Sequence, residues 1–154
     1  MEIKNNFRNA MRKYIYSVSI FSNKSTSGDL NAITVSSVTS ISMNPPSLLV
    51  CINKDARIHD TLLEGEEFCI NLLTKKHMNL SNICSNPNRH DDRFLNDSWN
   101  VDNVPYLNDA QANIFCKIDK LISFNTHTIV IGLVNDAISR EEINTLSYLN
   151  GDYA

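Results

Sequence analysis

Apolar and polar positions alternate along much of this chain, and the period changes where the elements change. Between Tyr16 and Ser22, Val18 and Ile20 fall between Ser17 and Ser19, with Phe21 following. A period of two predicts a strand. Ala112, Ile114, Cys116 and Ile118 alternate with Asn113, Phe115, Lys117 and Asp119, a second strand signal. Leu48-Leu49-Val50-Cys51-Ile52 is apolar throughout, and Phe68 to Leu73 nearly so, which predicts strands buried on both faces. The small and β-branched residues Ala32 to Thr39, the run His127 to Val134 and the short Leu146-Ser147-Tyr148-Leu149 bring the expectation to six or seven strands.

Helical spacing is confined to short stretches. Asn6 is placed to cap a helix carrying Phe7, Ala10, Met11 and Tyr14, and Asp55 to cap a brief one with Ile58, Leu62 and Leu63, stopped near Gly65. Thr74 is placed to cap another, with Met78, Leu80 and Ile83 facing inward, ending before Pro87. Lys24 to Asp29 and Asn44-Pro45-Pro46 read as turns. Asn86 to Asp102, rich in Asn, Asp and Arg, reads as a loop anchored by Phe94 and Trp99. No β-α-β alternation and no GxGxxG occur, which disfavours the parallel dinucleotide-binding sheet. The expected architecture is mainly β: an antiparallel barrel with short helices flanking it.

Composition narrows the function classes. The chain has 154 residues, 42% hydrophobic and 20% charged, which fits one soluble globular domain spanning 1–154. Net charge is −3 and the basic residues Arg12-Lys13, Lys75-Lys76, Arg89 and Arg93 are scattered, so neither nucleic acid nor an anionic membrane is an expected partner. No apolar stretch approaches the roughly 18 residues of a membrane span. The N-terminal MEIKNNFRNAMRKY lacks the apolar centre of a signal peptide, and the expected compartment is the cytoplasm. Cys51, Cys69, Cys84 and Cys116 form no CxxC pair, so they are expected as free thiols, and no metal site is expected.

Candidate chemistry concentrates between Gly28 and Arg57. Thr34-x-Ser36-Ser37-x-x-Ser40-x-Ser42-x-x-Pro45-Pro46 leads into the apolar run and then Asn53-x-x-Ala56-Arg57. Hydroxyls on one strand and a polar, basic loop at the end of another make a cradle for something flat and anionic. The pattern resembles the flavin reductase family, the small NAD(P)H:flavin oxidoreductases that feed two-component monooxygenases. Within it, the reductase components of 4-hydroxyphenylacetate 3-monooxygenases look most similar. The resemblance runs from about Phe7 to Tyr148 and thins after Asn135.

The resemblance implies an FMN-binding split β-barrel, six-stranded, antiparallel and Greek-key, with flanking short helices. It further implies a homodimer, FMN or FAD as flavin, NADH or NADPH as hydride donor, and a flavin-dependent monooxygenase as partner. By the same resemblance Asn31, Ala32, Thr34, Val35, Ser36 and Ser37 surround the isoalloxazine edge and ribityl-phosphate. Cys51, Ile52, Asn53 and Lys54 meet the flavin from a strand end, and Ala56 and Arg57 meet phosphate. His127 stands beside the flavin as the catalytic position, Arg93 of Asp92-Arg93-Phe94 faces a dinucleotide phosphate, and Tyr148 lies near the flavin pocket. Taken alone, the same residues also fit a half-wet Ser/Thr strand, a solvated cap and a structural histidine. His59, His77 and His90 have polar settings and no assigned role.

The sequence departs from the family where Asn125 replaces a glycine, where no hydroxyl accompanies Ala56-Arg57, and where the chain ends at Ala154. These departures keep two other expectations open: a non-catalytic FMN-binding storage, redox or sensor protein of the same fold, and an interaction barrel without ligand.

Overall fold

The alternating segments pair into one antiparallel sheet rolled around its apolar face. The computed structural model describes residues 1–154. Helix α1 (Glu2–Met11) is followed by strands β1 (Tyr16–Ser17), β2 (Ser19–Lys24), β3 (Leu30–Val35), β4 (Thr39–Met43), β5 (Pro46–Asn53) and β6 (Glu67–Leu72). Helix α2 (Met78–Ser85), the two-residue strands β7 (Trp99–Asn100) and β8 (Tyr106–Leu107), the long β9 (Ala112–Phe124) and β10 (His127–Ser139), and the short β11 (Ser147–Leu149) and β12 (Asp152–Tyr153) complete the chain.

The main sheet has seven strands in the order β3-β2-β6-β9-β10-β5-β4. Its six strands from β3 to β5 supply Phe21, Val35, Val50, Phe68, Ile70, Cys116, Ile118 and Val130 to a single core, so the apolar face can be buried only if the sheet curls. The curl brings the end of β3 back to β5. Ser37 Oγ, just past β3, accepts from the Cys51 N–H at 3.1 Å and donates to the Cys51 carbonyl at 3.3 Å. The expected six-stranded barrel is thus present, and β4 is a seventh strand appended as the hairpin partner of β5.

Close packing shows in two places. Phe21 and Phe68 stack with centroids 4.5 Å apart, and a Cβ at Gly132 would stand 2.7 Å from the Phe68 ring, so only glycine fits there. Asn71, fully buried, ties four segments together. Its amide donates to the Ile20 carbonyl at 3.0 Å and to Ser22 Oγ at 2.9 Å, and its Oδ1 accepts from Leu107 N and Asn113 Nδ2, both at 2.9 Å. Buried polar groups must be paired, and here the pairing locks the 86–107 excursion onto the barrel wall.

The outer face of β2 and β3 carries a second core of Val18, Ile20, Ala32, Leu73, Leu80, Cys84, Trp99 and Leu107. That second core explains why β2 is buried on both faces rather than alternating. Against expectation, β5 does alternate: Leu48, Val50 and Ile52 are buried while Leu49 and Cys51 are half-buried, because one of its faces lies outside the barrel. The first helix begins at Glu2, so Asn6 is inside it and caps nothing, and none of its residues is buried. Ala56, not Asp55, precedes the second helical segment, a 3₁₀ turn over Arg57–Thr61, and Leu63 is exposed. Thr74 does cap, in a reciprocal box with His77, but α2 turns Leu80, Ser81 and Cys84 inward and leaves Met78 partly exposed. Part of the expected 86–102 loop is a 3₁₀ segment over Pro87–Asp92 opened by Asn86, and β12 carried no signal in the periodicity. No helix is long and apolar enough to cross a membrane.

Candidate functional site

Two clefts flank β3 on either side of α2, and Ser85 borders both. The first, of about 410 Å³, lies where the end of β5, the Arg57–Thr61 turn, the end of α2 and the Pro87–Asp92 segment meet. It brings together Asn53, Ala56, Arg57 and Arg93 of the sequence-derived site, along with Asp55 and His90. Asn53 ends β5 and its Oδ1 accepts from the Asp55 N–H at 2.9 Å, which shapes the turn into Ala56. Arg57 is exposed and belongs to none of the three ion pairs of the protein.

Arg93 is the opposite case. It is only 7% exposed and has no carboxylate partner. Its guanidinium donates to the Ala32 carbonyl at 2.5 Å and to the Asn86 carbonyl at 2.9 Å, and its Nε has no partner. Trp99 Nε1 holds its backbone carbonyl at 2.9 Å. Burial lowers the Arg93 pKa, and nearby Arg57 adds to the effect. The adjoining Cys84 thiol is pushed up to about 12 by burial and stays neutral. A buried cation without a counter-charge is costly, so an anion arriving in this cleft finds a cationic wall already in place.

The second cleft, of about 540 Å³, includes Thr34, Val35, Ser36 and Tyr148. Thr34 Oγ1 donates to the Ser81 carbonyl at 2.7 Å, and Tyr148 donates its hydroxyl to the Gly151 carbonyl at 2.8 Å. Both hydroxyls thus hold the scaffold, whereas Ser36 is exposed. Tyr153 stacks edge-on to Tyr148 at 5.3 Å and donates to Ser81 Oγ at 2.8 Å. The remaining candidates lie beside or beneath the clefts. Asn31 is buried and donates to the Asp29 carbonyl at 3.2 Å. The Ala32 and Ile52 side chains are buried in the two cores, leaving only their backbone to face a ligand.

His127 lines neither cleft. It pairs with Asn53 across β5 and β10, and its Nδ1 lies 2.8 Å from Thr126 Oγ1. Asn125, in the same hairpin, has φ 51°, a left-handed geometry that asparagine tolerates, so the departure from glycine leaves the turn intact. Lys54 Nζ donates to Ser123 Oγ at 2.5 Å and its N–H to the Thr126 carbonyl at 2.9 Å, which pins this hairpin beside the strand end. Sequence reasoning passed over His90, Ser85 and Cys84 as lining residues. For His90 a signal exists: it stands three residues before Arg93, one turn of a 3₁₀ segment.

The antiparallel barrel carries, beside the end of β5, a cleft lined by two arginines, a setting that suits an anionic ligand. The comparisons with known proteins go further. Residues 11–154 match the family model described as a flavin reductase like domain. The reductase component of the FADH(2)-dependent resorcinol hydroxylase of Rhizobium sp. (strain MTP-10005) is 38% identical over 152 residues, covering 96% of this chain and 84% of that protein. The FMN reductase (NADH) RutF of Pseudomonas syringae pv. syringae (strain B728a) is 30% identical over 149 residues, covering 96% and 83%. A crystal structure from Haemophilus somnus 129PT, assigned as a flavin reductase, superposes with a TM-score of 0.90 at 33% identity, covering 97% of both chains. The flavin reductase of styrene monooxygenase from Pseudomonas putida S12 superposes with a TM-score of 0.82 at 26% identity over 97% of this chain and 96% of that one. The chain belongs to the flavin reductase family.

Proposed function

We propose that this protein is an NAD(P)H-dependent flavin reductase that takes a hydride from NADH or NADPH to FMN or FAD and passes the reduced flavin to a flavin-dependent monooxygenase. The observation that carries the reading is the convergence of Arg57 and the buried Arg93, neither with a carboxylate partner, on one cleft beside the end of β5. Family membership supplies the ligand class. In this reading the phosphate end of the flavin seats against Arg57 and Arg93, the backbone from Asn31 to Ser37 and Cys51 to Lys54 borders the ring, and His127 stands on the nicotinamide side. Val35 and Ser36 reach it from the second cleft, with Tyr148 behind them.

The residues present fit such a ligand. Two guanidinium groups suit phosphate oxygens, and the orphaned Arg93 Nε is a donor without an acceptor. Hydride chemistry is supplied by the nicotinamide and flavin when bound; the protein holds the rings in register and keeps the phosphate anchored. No nucleophile or metal is required of the chain. The chain acts as one domain and as a homodimer, and its place of work is the cytoplasm. The test is anaerobic addition of NADH, then NADPH, to purified protein with FMN and with FAD. Bleaching of the flavin's visible band faster than in protein-free controls is expected. Binding without bleaching would replace the reductase with a flavin-storage or sensor role.

A further inference from the structure

His90 shares the first cleft with Arg57 and Arg93. Its Nδ1 is buried without a hydrogen-bond partner, as is Arg93 Nε, so each of these two lining residues carries an unsatisfied polar atom. Arg93 is itself more than nine-tenths buried, and its guanidinium meets two backbone carbonyls but no carboxylate, so its buried charge is left for an anion to neutralise. We propose that His90, with Arg57 and Arg93, forms a three-donor cradle for the terminal phosphate of FMN, and that His90 takes up a proton as this phosphate seats, so that the cleft selects FMN over FAD. The proposal rests on the flavin reading of the cleft.

Chemistry distinguishes the two flavins here. A terminal phosphate has three free oxygens for three donors and carries close to two charges above its second ionisation, at about pH 6. Each phosphate of FAD has two free oxygens, one charge and no ionisation near neutrality. In the free protein burial lowers the His90 pKa, with Arg57 and Arg93 pushing the same way and Asp91 and Asp29 opposing. Asp55 also lines the cleft and adds a negative charge that disfavours the anion. The neutral Cys84 thiol contributes none. Near pH 7, therefore, His90 is neutral when the cleft is empty. A dianion beside it favours the imidazolium, so binding raises its pKa and draws a proton from solvent. FMN affinity is then greater when His90 is readily protonated and falls as pH rises through the pKa of the complex.

The experiment is a fluorescence-quenching titration of the full chain with FMN, FAD and riboflavin, in phosphate-free buffer between about pH 6.5 and 8.5. FMN affinity is expected to fall roughly tenfold across this range, while FAD and riboflavin affinities stay flat. His90→Gln, which keeps a donor but cannot titrate, should flatten the FMN profile and bring FMN toward FAD. Riboflavin affinity, blind to phosphate, reports that the variant is folded. Calorimetry in two buffers of different ionisation heat should show net proton uptake on FMN binding in the parent chain and none in His90→Gln. An unchanged profile in His90→Gln, or an equal pH dependence for FAD, overturns the proposal while leaving the flavin reading standing. Failure of all three flavins to bind removes that reading, and the proposal with it.

Discussion

Arg57 and Arg93 line one cleft but carry different structural loads. Arg57 is exposed and outside every ion pair. Arg57→Ala should leave stability within about 0.5 kcal/mol and weaken FMN binding by roughly tenfold without touching riboflavin; equal loss for both flavins would place Arg57 away from the phosphate. Arg93 also bonds two backbone carbonyls in a dry setting. Arg93→Ala leaves those acceptors unpaired and should cost about 2–4 kcal/mol of stability as well as flavin affinity, read from the denaturation midpoint. His77 is a purely structural histidine by comparison. Its Nδ1 accepts from the Thr74 N–H at 3.0 Å while its Nε2 lies 3.1 Å from Asp109. Burial lowers its pKa from 6.5 despite Asp109. A folded-state pKa below the unfolded one means stability is complete above pH 6.5 and is lost as pH falls through the folded value. The thermal midpoint should drop between pH 7 and 5, and more shallowly in His77→Gln, although that variant is less stable throughout because its cap is gone. An identical slope in the two proteins would show that other groups set the acid limb.

Among elements, the excursion from Asn86 to Leu107 is tied down through Arg93 to the Ala32 carbonyl, through the Val101 and Pro105 carbonyls to Lys24 and Ser22, and through the Leu107 N–H to Asn71. Four hydrogen bonds converge on it from β2, β8 and β9. Asn71→Ala should cost about 2–4 kcal/mol, because it orphans buried donors and acceptors at once. It should also loosen the segment carrying His90 and Arg93, seen as faster amide exchange from 86 to 107; exchange confined to β6 would refute the coupling. Elements also show where sequence patterns mislead. The alternation in β9 was legible, but Asn113 on its polar face is buried because β8 covers that face through the Asn71 network. Helix α1 has the expected apolar spacing and buries nothing. Its periodicity described an amphipathic element, while burial depends on whether anything packs against it.

At the scale of the whole molecule, β4 closes one end of the sheet order with its outer edge unpaired, and Ile41 and Met43 on it are 50% and 84% exposed. Edge strands of that kind are normally covered. If the protein is the homodimer proposed above, sedimentation velocity returns twice 17.4 kDa, and a species of 17.4 kDa overturns the dimer.

Strand periods, turn positions and the Thr34-to-Arg57 motif are legible in the sequence, because each is written in neighbouring residues whose spacing local geometry reads directly. It therefore carried the β class, the family and both arginines. Folding alone buries Arg93 against the Ala32 carbonyl, sixty-one residues away, commits the Thr34 and Tyr148 hydroxyls to the scaffold, and brings His90 to the wall of the cleft. The reason is physical. Exposure, pairing and charge at a site come from strands and turns distant in sequence that meet when the sheet closes on its core, and no local pattern records which side chains that closure leaves without a partner.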